Sequence, residues 1–136
     1  MNAKPRPSDF IAFTEEPPPV PARWRARYAT LLRLRQTLLL EHDEHSAAAC
    51  TPHERGGADA LDVAEDEASH RTLLAELAHE DSALAEINAA LRRIHEGTYG
   101  ICEDSGRIIT AARLRAVPWT RWCRDAAAAR EAKGRR

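Results

Sequence analysis

Two short stretches of this chain carry the residue types that bind metal. Cys102-Glu103-Asp104-Ser105 and Cys123-Arg124-Asp125-Ala126 each open on a cysteine and hold a non-cysteine three positions on. Two C-x-x-C pairs separated by a loop form a structural zinc site, because each tight turn aims both thiolates at one tetrahedral metal. Here Ser105 and Ala126 stand where the second thiolates belong. Serine is a poor zinc ligand at neutral pH and alanine is none. The four positions Cys102, Ser105, Cys123 and Ala126 therefore read as a degenerate zinc ribbon, and the expectation is a fold without zinc or any other cofactor. Packing must then replace the metal, and Tyr99, Ile101, Ile108, Leu114, Trp119 and Trp122 are the apolar groups at hand. A residual site completed by Asp104 and Asp125 stays open, as does a redox couple of Cys102 and Cys123 if the turns bring the two within bridging distance. The plainer reading is two buried thiols.

Two further groups bear on chemistry. His42 and His45 lie at i and i+3 beside Glu41, Asp43 and Glu44. That spacing suits either a metal or a solvated helix face. Asp59 and Asp62 open a helical pattern, where acidic residues cap the first turn and complement the macrodipole.

These residues hang on a predicted framework that is mainly α. Residues 1–20 form a proline-rich tail, whose Phe10, Ile11 and Phe13 either dock on the folded body or stay free. From about Pro21 to Cys50, Trp24, Tyr28, Leu31, Leu34 and Leu38 make one apolar stripe. Residues 51–57 read as a turn, with Pro52 and Gly56-Gly57. A second helix runs from about Asp59 to Glu96. Leu73, Ile87 and Ile94 share one heptad position that Glu80 interrupts, and Leu77, Leu84 and Leu91 share another. Gly97 is a C′ stop. Two long helices with a short connection must be antiparallel, so residues 21–97 form a coiled-coil hairpin with its tip near 51–64. The leucines crowd its base, leaving the tip free of packing constraint. Residues 98–136 hold the ribbon module: a short strand at Ile108-Ile109, then Arg113 to Arg115 continuing toward Pro118, and a C-terminal helix from near Cys123.

The chain has 136 residues and a net charge of −1, which implies no general attraction to nucleic acid or membrane. No apolar run spans a bilayer and no export signal is apparent, so cytoplasmic residence is expected. Three cysteines then fit a reducing compartment better than a disulfide framework, and Cys50 reads as a small helix residue. No nucleophile–base set or phosphate loop points to an enzyme. No basic recognition helix points to direct DNA binding.

Three features in order resemble the DksA/TraR family of RNA polymerase-binding transcription factors: Asp59-x-x-Asp62-x-Ala64, the phrase Glu96-Gly97-Thr98-Tyr99-Gly100-Ile101-Cys102-Glu103, and Ala112-Arg113-Leu114-x-Ala116-x-Pro118 before Cys123. The resemblance covers about residues 21–130 and is nearest to the zinc-independent subgroup. It implies a monomer whose arm enters the secondary channel of bacterial RNA polymerase and alters open-complex stability in stringent-response fashion. Asp59, Asp62 and Ala64 would be the polymerase-contacting tip. Some members bind ppGpp jointly with polymerase through basic residues, but the matching positions here are Glu86, Val117 and Ala127, none of which pairs with phosphate. Arg92, Arg93, Arg121 and Arg124 stand nearby as substitutes. A thiol redox sensor or a metal-binding protein on the same fold are the alternatives.

Overall fold

A computed structural model describes residues 19–51 and 59–135. The sequence readings of Phe10, Ile11 and Phe13, and of the turn at Pro52 and Gly56-Gly57, lie outside them. A 3-10 turn at Ala22–Trp24 leads into α1 (Arg25–Cys50), followed by α2 (Ala60–Glu96), α3 (Ala111–Ala116) and α4 (Arg124–Gly134). Pro21 sits at the N-cap of that turn, one step before the position that favours proline.

α1 and α2 pack as an antiparallel hairpin with a fixed register. Tyr28 Oη meets His95 Nε2 at 3.0 Å, Arg35 Nη1 donates to Asn88 Oδ1 at 3.4 Å, and His42 Nε2 meets Asp81 Oδ1 at 2.7 Å. Each step of one heptad along α1 is matched by one heptad back along α2, the repeat that keeps two helices in contact. Continued toward the tip, this register sets Cys50, the last residue of α1, level with Leu73. α2 is the longer helix, 37 residues against 26. Its residues 60–72 therefore extend about 20 Å beyond the end of α1. The hairpin is lopsided rather than even-ended, as the sequence pattern did not reveal.

The core lies at the base. Leu31, Ile87, Leu91, Ile94, Tyr99, Cys102, Ile109 and Leu114 are buried together, with Trp24, Leu34, Trp119 and Trp122 packed around them. Gly97 ends α2 with φ of 81°, and the N–H groups of Gly97, Thr98 and Tyr99 all turn back to the carbonyl of Arg93. Gly100 has φ of 82°, and a Cβ there would lie 3.1 Å from the Trp24 ring. The chain thus turns sharply and delivers Tyr99 inward, where its hydroxyl donates to Pro118 O at 2.7 Å and its ring meets Trp24 edge-on at 4.8 Å. Burial pushes the Tyr99 phenol up to about 12, outweighing the guanidinium charges of Arg27 and Arg93.

Two expectations for the module are corrected. Ile108-Ile109 is no strand; among the described residues only a single antiparallel bridge joins Ile101 to Ile108. Adjacent side chains in extended backbone point to opposite faces, so Ile109 is buried while Ile108 is 83% exposed. Ile101 is also exposed, and neither it nor Ile108 helps replace the metal. The segment around Arg113 forms a helix: Thr110 Oγ1 accepts from Arg113 N at 3.3 Å as N-cap, and the Ala-Ala-Arg-Leu-Arg-Ala run favours helix before Pro118 stops it.

Candidate functional site

The ribbon positions come together at the base. Cys102 N donates to Arg107 O at 2.8 Å and Gly106 N donates back to Cys102 O at 2.9 Å, closing the first knuckle. Cys123 is the N-cap residue of α4, so Ala126 follows within the first turn of that helix. Ser105 Oγ lies 3.8 Å from Cys123 Sγ and accepts from Arg107 N at 3.3 Å. Cys102 is only 1% exposed. Burial raises its thiol pKa, but the Ser105 hydroxyl and the backbone N–H groups of Cys123, Ser105 and Asp104 outweigh it and bring the value down to about 6. The knuckle thus keeps a set of donors that favours a thiolate.

The residues present do not fit a structural zinc ion. Two thiols and one hydroxyl supply no fourth donor, and Ala126 packs its methyl against the core. Asp104 is not free to complete the site: both of its oxygens are gripped by Arg130, from Nε at 2.7 Å and Nη2 at 2.6 Å. Arg130 in turn lies over the Trp122 ring at 4.4 Å.

The histidines of the arm do not gather donors either. His42 faces Asp81, whereas His45 meets Glu80 through Nδ1 at 2.5 Å and Glu76 through Nε2 at 3.9 Å. The two carboxylates near His45 approach opposite nitrogens of the ring. Among the described residues no group of three or more His, Cys, Asp or Glu side chains is placed to hold a metal. Glu80, which breaks the apolar heptad, is 7% exposed, and its Oε2 has no partner. Sequence reasoning saw the interruption but not the cross-hairpin pairing.

At the far end, Asp59 is the N-cap of α2, its Oδ1 accepting from Asp62 N at 2.9 Å. Asp62 is exposed in the first turn with Leu61, which is 67% exposed, and Ala64 is exposed one turn on. None of these stands level with α1. The tip and the ribbon are thus separate, at opposite ends of a helix about 55 Å long.

Glu86, Val117 and Ala127 line one groove at the base, together with Arg113, Arg121 and Arg130. Its guanidinium groups are already engaged. Arg121 binds Glu86 at 2.8 Å, Arg113 Nε donates to Trp122 O at 2.8 Å, and Arg130 holds Asp104.

Comparison with known proteins agrees with this architecture. The sequence model of the prokaryotic dksA/traR C4-type zinc finger matches residues 97–132. Transcription factor DksA2 from Pseudomonas aeruginosa superposes with a TM-score of 0.71 at 26% identity, over 93% of this chain and 92% of that one. The C-terminal module of this chain thus matches the DksA/TraR zinc-finger family, and the chain shares the fold of DksA2. The RNA polymerase-binding transcription factor DksA of Caulobacter vibrioides is 38% identical over 61 residues, 45% of this chain and 43% of the relative. An uncharacterized protein of Aquifex aeolicus is 54% identical over 44 residues, 32% of this chain and 30% of the relative. The matched stretch spans less than half the length of these curated relatives. No described helix is long and apolar enough to cross a membrane.

Proposed function

We propose that this protein is a transcription regulator that binds bacterial RNA polymerase through its secondary channel and alters open-complex stability without contacting DNA itself. The observation that carries this reading is the lopsided hairpin. A single helix projects past its partner and presents Asp62, Leu61 and Ala64 at its end, with no packing role for any of them. A narrow rod can pass down a pore that excludes a globular domain. Acidic groups at its end suit the basic and polar elements around a polymerase metal centre. Asp59 is partly committed to capping, so Asp62 carries the contact. The DksA relatives support the same assignment through their names and shared fold. The protein acts as a monomer in the cytoplasm, by contact rather than by a reaction of its own.

In the same reading the base folds without zinc and does not bind ppGpp in the groove of Glu86, Val117 and Ala127, where no guanidinium is free. Transcription in vitro from a ribosomal RNA promoter tests the assignment. Wild type is expected to shorten open-complex lifetime and Asp62→Asn to lose most of that effect. A wild-type protein that neither binds polymerase nor changes open-complex lifetime refutes it.

A second reading, a thiol sensor on the same fold, is favoured by the lowered Cys102 thiol beside the backbone of Cys123. Equal activity of wild type and Cys102→Ser before and after peroxide treatment rejects it.

A further inference from the structure

The net charge of −1 conceals a separation of sign along the molecule. His42 stands opposite Asp81, so one plane across the hairpin passes between Leu40 and Glu41 on α1 and between Ser82 and Ala83 on α2. Beyond that plane, the described residues 41–51 and 59–82 carry eleven Asp or Glu and a single Arg or Lys, Arg71. On the base side, the described residues 19–40 and 83–135 carry fifteen Arg or Lys and six Asp or Glu. The two groups of charge are centred about 30 Å apart. Folding does not ask for this pattern. Like charges at i and i+4 weaken a helix, and Asp62–Asp66 and Glu76–Glu80 on α2 are such pairs. A rod that needed only solubility would interleave the signs. Nor do all the cations of the base tie the fold together. Arg25, Arg92 and Arg115 are exposed and make no hydrogen bond or ion pair with any described residue.

We propose that this axial dipole steers the protein arm-first onto its partner, a protein whose pore is lined by Lys and Arg and whose rim around the pore is rich in carboxylates. The proposal rests on the polymerase reading above and adds how the encounter is selected. Acidic charge ahead and basic charge behind give the rod one favourable orientation in such a field. Reversed entry brings like charges together at both ends. Low-dielectric walls focus the field of a narrow channel, so the effect is strongest at its mouth. Charges that steer raise the association rate and leave the dissociation rate almost untouched, unlike a close contact such as the one assigned to Asp62. Asp43 and Glu44, exposed far from the tip, belong to the field without belonging to that contact.

The test is stopped-flow association of the full chain, labelled at its N-terminal amine, with bacterial RNA polymerase at several salt concentrations. The association rate should fall about tenfold or more between about 50 mM and about 500 mM sodium chloride, as screening shortens the field. Asp43→Asn/Glu44→Gln removes two charges of the arm, and Arg25→Gln/Arg115→Gln removes two of the base. All four side chains are exposed and bond to no described residue, so both variants keep the fold. Each should slow association about threefold at the lower salt, leave dissociation unchanged, and lose its effect at the higher salt. Faster association of the base variant overturns the carboxylate-rich rim. Binding at a rate that ignores salt, or variants that act through dissociation, overturns the steering and leaves the polymerase reading standing. A chain that does not bind polymerase overturns both.

Discussion

Arg130 holds Asp104 with two guanidinium nitrogens while its plane lies on Trp122, and so joins the first knuckle to α4 where a zinc ion would join two knuckles. Bidentate guanidinium–carboxylate pairs are directional as well as charged. The pair is exposed, so its value is geometric: it fixes how α4 leans on the knuckle. Arg130 keeps the Asp104 carboxyl below its ordinary range, chiefly by hydrogen bonding.

Beside this clamp the former ligand positions still lie near one another. Ser105 Oγ is 3.8 Å from Cys123 Sγ, and the donor set around Cys102 favours a thiolate. The double variant Ser105→Cys/Ala126→Cys should therefore regain a four-thiolate site and bind one zinc per chain in native mass spectrometry. Wild type should carry none. Stoichiometric zinc on wild type, or no zinc on the double variant, contradicts this account of the site.

The Cys102 thiol should titrate near pH 6 rather than near 9. Its folded pKa is depressed, so it contributes stability that is fully present above the unfolded value and is lost as pH falls through the folded one. Thermal stability should thus rise with pH between about 6 and 9. Cys102→Ser should flatten that slope. Thiolate absorbance followed against pH, in a background lacking Cys50 and Cys123, checks the midpoint directly.

At the tip, charge and capping can be separated. Asparagine caps as well as aspartate, so Asp59→Asn keeps the bond to Asp62 N and removes only the charge, whereas Asp59→Ala should destabilise the first turn of α2 by about 1 kcal/mol. Asp62→Asn should leave the melting temperature unchanged and reduce the effect on open complexes by tenfold or more, on the order of one charged hydrogen bond. Amide hydrogen exchange over residues 60–66, read beside the transcription assay, distinguishes the cap from the contact. Equal activity of Asp62→Asn and wild type would remove Asp62 from the contact.

Much of this fold was legible in the sequence because it rests on local periodicity. The heptad positions of Leu77, Leu84, Ile87, Leu91 and Ile94, ended by Gly97, mark α2 and its stop without any tertiary information. What stayed hidden depends on register and on distant pairs. Only the ladder of Tyr28, Arg35 and His42 against His95, Asn88 and Asp81 reveals how far α2 outruns α1. The burial of Ile109 rather than Ile108 follows from which face of one short turn meets the core, which two adjacent isoleucines do not encode. Arg130 and Asp104 are 26 positions apart in sequence, and no pattern links them. The two halves of the ribbon were visible as spacing, whereas the burial of Arg93 was not.

Glu80 gives the sharpest stability test. It occupies a core heptad position between Leu73 and Ile87, bonded to His45 through one oxygen while the other is buried without a partner. Glu80 is buried while the His45 side chain is 35% exposed, and a polar pair with a buried member is seldom a source of net stability, because desolvation offsets the attraction. Removing one member is worse, since the other is then stranded. His45→Ala should therefore destabilise the hairpin by about 1–2 kcal/mol, the cost of stranding a buried acceptor, and Glu80→Leu should be neutral or stabilise it by about 1 kcal/mol. The double variant should resemble Glu80→Leu, because His45 then has no buried carboxylate to satisfy. Urea unfolding followed by circular dichroism reads all three. A destabilised Glu80→Leu would mean that the pair itself sets the hairpin register, as a single polar residue does in some coiled coils. In that case the reach of the tip beyond Leu73 would depend on the His45–Glu80 pair in the middle of the arm.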